Sequence, residues 1–348
     1  MKNLILLFLF TSTLFCQTKE QSPNIILMIG DGMGLTQISA GMYANKNQTV
    51  LEEFEHIGLS KTHSADQLVT DSAASGTAMA TGVKTFNGVI GIDAQNINKP
   101  SILELCKEQG YAAALLATSS IVHATPASFY AKVRSRKMYE QIAVQLSEHD
   151  VDLFVGGGEK YFVMREDNRN LINEMDTYEF VNSEYEFKNS TSDKIGFLTY
   201  EEEPPSLLSG RKPALDELTQ LSLKKLSAKE KPFFMMIEGS QIDWGGHANE
   251  LNYVISEFTE FDHTIQKVLE FAKADGNTLV IVTSDHETGG LTLDAGNLKK
   301  GKVKGNFGTG GHSAVMVPVF SFGPKSELFS GIYDNTAIFD KMLKAVME

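Results

Sequence analysis

Short apolar runs recur along the chain, and residue types that bind metal ions stand beside each of them. Residues 24–30, 233–237 and 278–283 are mainly apolar, and 315–320 follows a glycine-rich loop. Such runs, bounded by glycine and polar residues, predict the strands of a buried parallel sheet. Residues 251–269 place apolar side chains at helical spacing, which predicts a long amphipathic helix. We therefore expect an α/β fold, a three-layer sandwich with a central, mostly parallel sheet flanked by helices.

The candidate metal ligands lie close to these predicted strands in the sequence. They are Asp31, Glu238, Asp243, His247, Asp285, His286 and His312. Because binding sites lie beyond the carboxyl ends of parallel strands, we expect these side chains to converge at one edge of the sheet. Imidazole and carboxylate donors suit zinc. Glu238 with a hydroxyl such as that of Thr125 would supply the oxygen ligands that magnesium prefers.

Ser72 stands where a helix of small residues, 73–80, is predicted to begin. The N-terminus of a helix favours a bound oxyanion, but a serine hydroxyl is a weak nucleophile until a base or metal ion lowers its pKa. A helix cap formed by Asp71 and Ser72 is the simpler interpretation of this segment alone. The surrounding candidate ligands instead favour a nucleophile. One zinc ion would lower the pKa of Ser72, and a second would stabilise the leaving oxygen of an in-line displacement.

The segment from Thr70 to Gly88 resembles the nucleophile block of the alkaline phosphatase family, and the resemblance extends over nearly the whole mature chain. The resemblance implies an alkaline-phosphatase-like fold and a phosphomonoesterase of broad range, with Ser72 as the phosphorylated nucleophile. It also implies two zinc ions and one magnesium ion per chain. The implied ligands are Asp243, His247 and His312 for the first zinc; Asp31, Asp285 and His286 for the second, beside Ser72; and Asp31, Thr125 and Glu238 for magnesium.

Arg136 matches the family arginine that holds two phosphate oxygens. A planar guanidinium can make this bidentate contact, whereas lysine cannot. We expect the neighbouring Arg134 to be a surface charge.

Two further positions expected near the substrate depart from the best-known bacterial version of the family. His123 stands where that version has an aspartate near magnesium, and Trp244 stands where it has a lysine near phosphate. The combination resembles alkaline phosphatases of marine and cold-living bacteria. It implies weaker magnesium binding and looser product binding, with direct coordination of the third metal by His123 as an alternative. The composition points the same way, because arginine (5 residues) and proline (9) are scarce while glycine (29) is abundant. We expect a cold-adapted enzyme.

The overall charge narrows the range of partners. The chain has 348 residues and a formal net charge of −13, which disfavours a nucleic-acid partner beyond terminal phosphates that could serve as substrates. Small phosphate monoesters remain compatible as substrates, because two zinc ions and one magnesium ion would concentrate positive charge at the site.

We expect one domain at 17–348, with a lid or small subdomain within the polar interval 159–230, and assembly into a homodimer.

The first sixteen residues predict a secretory signal peptide, because a charged start precedes a short apolar core. The protein is then expected to be periplasmic or secreted, with no integral membrane segment after cleavage. A lipid anchor on Cys16 is an alternative, disfavoured because Phe15 is bulky for that processing site. Cleavage leaves Cys106, which we expect on a buried helix face and which cannot form an intramolecular disulfide.

Three other functions stay open. A phosphodiesterase of the same superfamily is disfavoured by the combination of Glu238, Thr125 and Arg136, and a sulfatase by the absence of a Cys-x-Pro-x-Arg block. A non-catalytic protein that binds zinc or phosphate would have no need for Ser72 beside the second zinc.

Overall fold

The computed structural model describes residues 22–347, so the predicted signal peptide and Cys16 lie outside the described residues. The strands are β1 Asn24–Gly30, β2 His56–Lys61, β3 Ala112–Ser120, β4 Leu153–Gly157, β5 Glu179–Val181, β6 Ile195–Leu198, β7 Phe233–Gly239, β8 Thr278–Thr283, β9 Glu287–Thr288, β10 Leu291–Asn297, β11 Lys302–Phe307, β12 His312–Ser313, β13 Val317–Phe322 and β14 Gly331–Asp334. The helices are α1 Leu35–Ala44, α2 Ser72–Thr81, α3 Ile102–Glu108, α4 Ala124–Ala127, α5 Tyr139–Glu148, α6 Lys160–Val163, α7 Leu171–Glu174, α8 Glu184–Asn189, α9 Leu215–Ser227, α10 Gln241–His247, α11 Leu251–Asp275 and α12 Thr336–Met347. Within the described part, no helix combines the length and apolar character needed to cross a membrane.

Ten strands form the central sheet, in the order β14-β2-β13-β8-β1-β7-β3-β4-β6-β5. Among these ten, β13 alone runs antiparallel to its neighbours, β8 and β2. All other neighbours pair in parallel. The predicted mostly parallel sheet is therefore confirmed.

Alternate side chains of β1 point into two different apolar clusters, one on each face of the sheet. Ile25, Leu27 and Ile29 join a cluster with residues of α2, α3, α5 and α12. Ile26 and Met28 join a second cluster with residues of α9 and α11. Because a strand directs successive side chains to opposite faces, this division confirms the predicted three-layer sandwich.

Two predicted elements have different bounds in the structure. The run at 315–320 begins with Val315 and Met316, which are exposed, and the strand starts only at Val317. The amphipathic helix predicted over 251–269 continues to Asp275 and ends at Gly276, whose φ of 74° suits a left-handed helix cap.

The polar interval 159–230 contributes to the main layers. Its strands β5 and β6 extend the central sheet beyond β4, and α9 packs against α11. Arg211 forms buried ion pairs with Glu257 and Glu260 on α11, at 2.5 Å for the first. This interval thus contributes two strands and a helix to the sandwich.

Cys106 occupies the buried face of α3, as expected. Burial raises the pKa of its thiol to about 12. A thiol that stays protonated is a poor nucleophile, so Cys106 is a packing residue.

Gly41 lies where α1 crosses α11, and this contact tests the packing of the helical layer. A Cβ at this position would lie 1.9 Å from Cδ1 of the buried Phe258. We expect Gly41→Ala to lower the free energy of unfolding by about 1–3 kcal/mol, because the overpacking outweighs the gain in helix propensity. Denaturant titration measures the change. The same substitution in a Phe258→Leu background should cost less, and an equal cost in both backgrounds would contradict this contact.

Candidate active site

The carboxyl ends of the central strands bring most of the candidate ligands together. Asp31 follows β1, Glu238 lies near the end of β7, and Asp285 and His286 follow β8. These four side chains are fully buried. The other three of these candidate ligands lie on two short elements: Asp243 and His247 on the helix α10, and His312 on the strand β12.

The first cluster joins two histidines and a carboxylate. The Nε2 atoms of His247 and His312 lie 3.1 Å apart, and they lie 3.4 and 3.6 Å from Oδ1 of Asp243. Each ring has its Nδ1 atom 2.8 Å from a main-chain carbonyl oxygen, that of Gly310 for His247 and that of Thr70 for His312. When Nδ1 donates to a carbonyl, the Nε2 lone pair is free to bind a metal ion, so both rings are oriented as zinc ligands require.

The second cluster adjoins the predicted nucleophile. Nε2 of His286 lies 3.1 Å from Asp285, 3.5 Å from Asp31 and 3.3 Å from Oγ of Ser72. Ser72 is the first residue of α2, so its hydroxyl lies at a helix N-terminus. The cluster touches the first one, because the rings of His286 and His312 stack with their centres 3.5 Å apart.

A third cluster shares Asp31 with the second. Atoms of Asp31, His123 and Glu238 able to bind a metal all lie within 4.8 Å of one another. Neither carboxylate oxygen of Asp31, nor the Nδ1 atom of His123, has a hydrogen-bond partner within the described residues, although all three atoms are buried. The buried Thr125 hydroxyl lies beside the Glu238 carboxylate. These unpaired oxygen and nitrogen atoms can offer lone pairs to a cation held between them. Without such a cation, their burial without a partner would be costly.

The pKa shifts of the buried carboxylates also favour a site for cations. Burial, together with neighbouring carboxylates of which Asp285 acts most strongly, raises the pKa of Asp31 well above its usual range. Burial raises the pKa of Glu238 to about 7. Burial opposes ionisation of Asp285 as well, but the adjacent His286 lowers its pKa to about 2. Several buried carboxylates without enough positive side chains are typical of a site that binds divalent cations.

Arg136 is in contact with two site residues, Asp71 and His123. Its Nη1 atom donates to Asp71 at 3.1 Å, and its Nη2 atom lies 3.3 Å from Nε2 of His123. The ring of Trp244 meets His123 edge-on, with centres 6.1 Å apart. Arg134 is exposed, as expected for a surface charge.

Sequence reasoning treated Asp71 only as part of a helix cap, and the structure gives it a second role. Oδ1 accepts the amide N–H of Ala74 at 3.0 Å, the cap itself. Oδ2 accepts from the amide of Gly88 and from Arg136. One carboxylate therefore connects the start of the Ser72 helix with the arginine. The cap preference of aspartate was visible in the sequence, but its contact with a residue 65 positions away was not.

Two buried residues next to the candidate ligands, Glu287 and Thr288, were not identified from the sequence. The Thr288 hydroxyl donates to Asp243 at 2.5 Å and lies 3.3 Å from Nδ1 of His286. The buried Glu287 carboxylate accepts from Gln37 at 2.7 Å. Both residues follow directly after His286, and this adjacency was their only signal in the sequence.

Comparisons with known proteins identify the family of this chain. The alkaline phosphatase family profile matches residues 22–306. Alkaline phosphatase 3 of Bacillus subtilis is 32% identical to this chain over 94% of this chain and 90% of its own length. Alkaline phosphatase of Escherichia coli is 30% identical over 94% of this chain and 86% of its own length.

Solved structures show the same similarity. The alkaline phosphatase from the Antarctic bacterium TAB5 is 43% identical, with a TM-score of 0.88 over 94% of this chain and 98% of that chain. The cold-active alkaline phosphatase of a psychrophilic Shewanella is 30% identical, with a TM-score of 0.86 over 93% of this chain and the whole of that one. The extent of these matches shows that this chain belongs to the alkaline phosphatase family and is a phosphatase.

Proposed function

We propose that this protein hydrolyses a broad range of phosphate monoesters through a phosphoseryl intermediate on Ser72. The observation that carries the proposal is the position of Ser72, whose hydroxyl lies at a helix N-terminus 3.3 Å from His286 in the second cluster. Two zinc ions would be held by the first and second clusters, and one magnesium ion by Asp31, Thr125 and Glu238. When bound, these ions supply Lewis acidity for the attacking and leaving oxygens.

The chain's own residues would orient the substrate for in-line attack. Arg136 would hold two phosphate oxygens with its guanidinium fork, kept in place by the Asp71 carboxylate. Ser72 would then form a new O–P bond as the alcohol leaves. Water attacks the phosphoserine in the second step, which releases phosphate and restores the hydroxyl. Two inversions retain the configuration at phosphorus.

The candidate magnesium site bears on the choice between related functions. The Glu238 carboxylate, with Thr125 beside it, lies within the third cluster and supports a monoesterase over the diesterase alternative. A protein that only binds zinc or phosphate would gain nothing from Ser72 next to the second cluster. Magnesium has been seen bound in a variant of the TAB5 enzyme, and we propose the same ion here, with His123 within reach of it.

We also propose that the protein is exported after removal of residues 1–16 and that it acts as a homodimer. Exposed apolar side chains on neighbouring strands at one end of the sheet, Ile57 on β2 and Ile332 on β14, would be covered by a second copy. Single exposed apolar residues are common, but their adjacency at a sheet edge favours an interface.

Ser72→Ala tests the central proposal. The variant lacks the hydroxyl that forms the phosphoester, so kcat for p-nitrophenyl phosphate should fall by several orders of magnitude. Zinc content, measured by atomic absorption, should stay near that of the unaltered protein, because the three clusters keep their ligands. Acid quenching during turnover should trap phosphoserine only when Ser72 is present. Wild-type activity in the variant would refute the nucleophile assignment.

Arg136→Ala tests phosphate recognition. Loss of a bidentate, charged contact should weaken binding of substrate and of inhibitory inorganic phosphate by about 1.5–3 kcal/mol. Steady-state inhibition by phosphate measures the effect. Arg134→Ala is the matched control, since this exposed arginine has the same charge two positions away. If both variants behave alike, Arg136 is not the residue that holds phosphate.

The Trp244 and His123 pair tests the proposed adaptation to cold. Trp244 contacts His123, which in turn contacts Arg136, so a lysine at 244 would bring positive charge towards the phosphate. We expect Trp244→Lys to tighten phosphate inhibition, and His123→Asp added to it to strengthen magnesium retention.

The unaltered protein should lose activity within minutes at about 50–60 °C. Survival for hours at that temperature would contradict cold adaptation and leave the phosphatase activity intact.

A further inference from the structure

Ser75 is a buried polar residue that the mechanism above does not use. It lies on α2 one helical turn after Ser72, and its side chain is almost fully buried. Its hydroxyl donates to the main-chain carbonyl oxygen of Asp285 at 2.8 Å. The hydroxyl oxygen Oγ of Ser75 in turn accepts a hydrogen bond from Nδ2 of Asn335 at 3.1 Å. Ser75 therefore connects the nucleophile helix to the segment that bears two candidate metal ligands.

The peptide bond between Asp285 and His286 is held at both of its polar groups. Ser75 binds the carbonyl oxygen, and the amide N–H of His286 donates to Oδ1 of Asp285 at 2.9 Å. The amide of Gly32 donates to the same Oδ1 at 3.1 Å. With Oδ1 occupied, Oδ2 is the oxygen left to face His286, 3.1 Å from Nε2. A rotation of this peptide would move both ligand side chains together.

Asn335 keeps the Ser75 hydroxyl pointed at Asp285. Oδ1 of Asn335 accepts from the ammonium of Lys84 at 2.7 Å, so its amide nitrogen must face the other way, towards Ser75. Lys84 is in turn paired with Asp334 at 2.6 Å. Since Asn335 donates a hydrogen to Oγ, the hydroxyl proton of Ser75 is left to bind the Asp285 carbonyl. Asn335 is itself buried, just before α12.

We propose that Ser75 and Asn335 are positioning residues that fix the distance between the Ser72 hydroxyl and the ligands Asp285 and His286. The inference rests on the proposed roles of Ser72 and of these ligands. Removal of a group that hydrogen-bonds to a metal-binding residue commonly lowers metal affinity or activity by about 10–100-fold. A displacement of the reacting groups by about 1 Å has a similar effect on rate.

The test compares Ser75→Ala, Asn335→Ala and the double variant in the full, zinc-loaded enzyme. We expect each single change to lower kcat for p-nitrophenyl phosphate, and to speed zinc release into a chelator, by about 10–100-fold. KM should change less than about threefold, because the contact between Arg136 and Asp71 is untouched. The double variant should resemble the single ones, since both changes break one connected hydrogen-bond path.

Thr81→Ala is the matched control. Thr81 is a buried hydroxyl residue on the same helix, and within residues 22–347 its hydroxyl donates only to the carbonyl oxygen of Thr77, at 2.7 Å. Melting temperatures are recorded for every variant, and rates are compared well below them. If Ser75→Ala and Asn335→Ala match Thr81→Ala in kcat and in zinc release, or if their effects add in the double variant, the proposal is overturned.

Asn335→Asp gives a second, independent arm should Ser75→Ala fail to fold. An aspartate keeps an acceptor for Lys84 but cannot donate to Ser75, so it should slow turnover as Asn335→Ala does. Unchanged kcat and zinc release in Asn335→Asp would refute the positioning role. Trapping of phosphoserine in the unaltered enzyme tests the proposed function separately. Absence of that label would contradict Ser72 as the nucleophile, whereas its presence with unaffected variants would contradict only the positioning role.

Discussion

The repulsion among buried carboxylates at the carboxyl edge of the sheet is the constraint on which the site depends. Asp31 belongs to two of the three clusters and has no hydrogen bond to either oxygen among the described residues. Burial and the neighbouring carboxylates raise the pKa of Asp31, so the surrounding protein alone accommodates its charge poorly. Divalent cations at the clusters would offset this cost, so metal binding and the stability of this edge are coupled. The same cations would give an acidic protein a local positive field for phosphate.

The packing of α2 follows from that arrangement. Ser72 must approach a crowded edge closely, and a helix of small side chains permits it. All ten residues of α2 are buried, and a Cβ at Gly76 would lie 2.8 Å from Oγ of Ser128. Larger residues would push the helix away from the second cluster. The run of alanine, glycine and serine thus allows Ser72 to lie close to His286. The site requires these small side chains, whereas the helix itself does not.

The sequence predicted the parts of the fold whose signal is local. The strands β1, β7 and β8 are mainly apolar because both of their faces are buried, and the candidate ligands at or just after their ends were identifiable by type. The strands β5 and β6 were not foreseen, since each is short and lies in a polar interval. The contacts of Asp71 with Arg136, and of Ser75 with Asn335, depend on residues brought together only by folding. Neither spacing nor composition encodes such pairs.

The rigidity of the site has to come from these long-range contacts, because the loops that carry it are rich in glycine. His312 lies just after three glycines in a segment of four residues, and such backbone is intrinsically free to move. The rings of His247 and His312 each bind a carbonyl on a different loop, which ties the loops to one another. Proline, the usual means of stiffening a loop, is scarce in this chain. Long-range hydrogen bonds, such as those of the two histidine rings, therefore hold the geometry that a stiffer backbone would otherwise maintain.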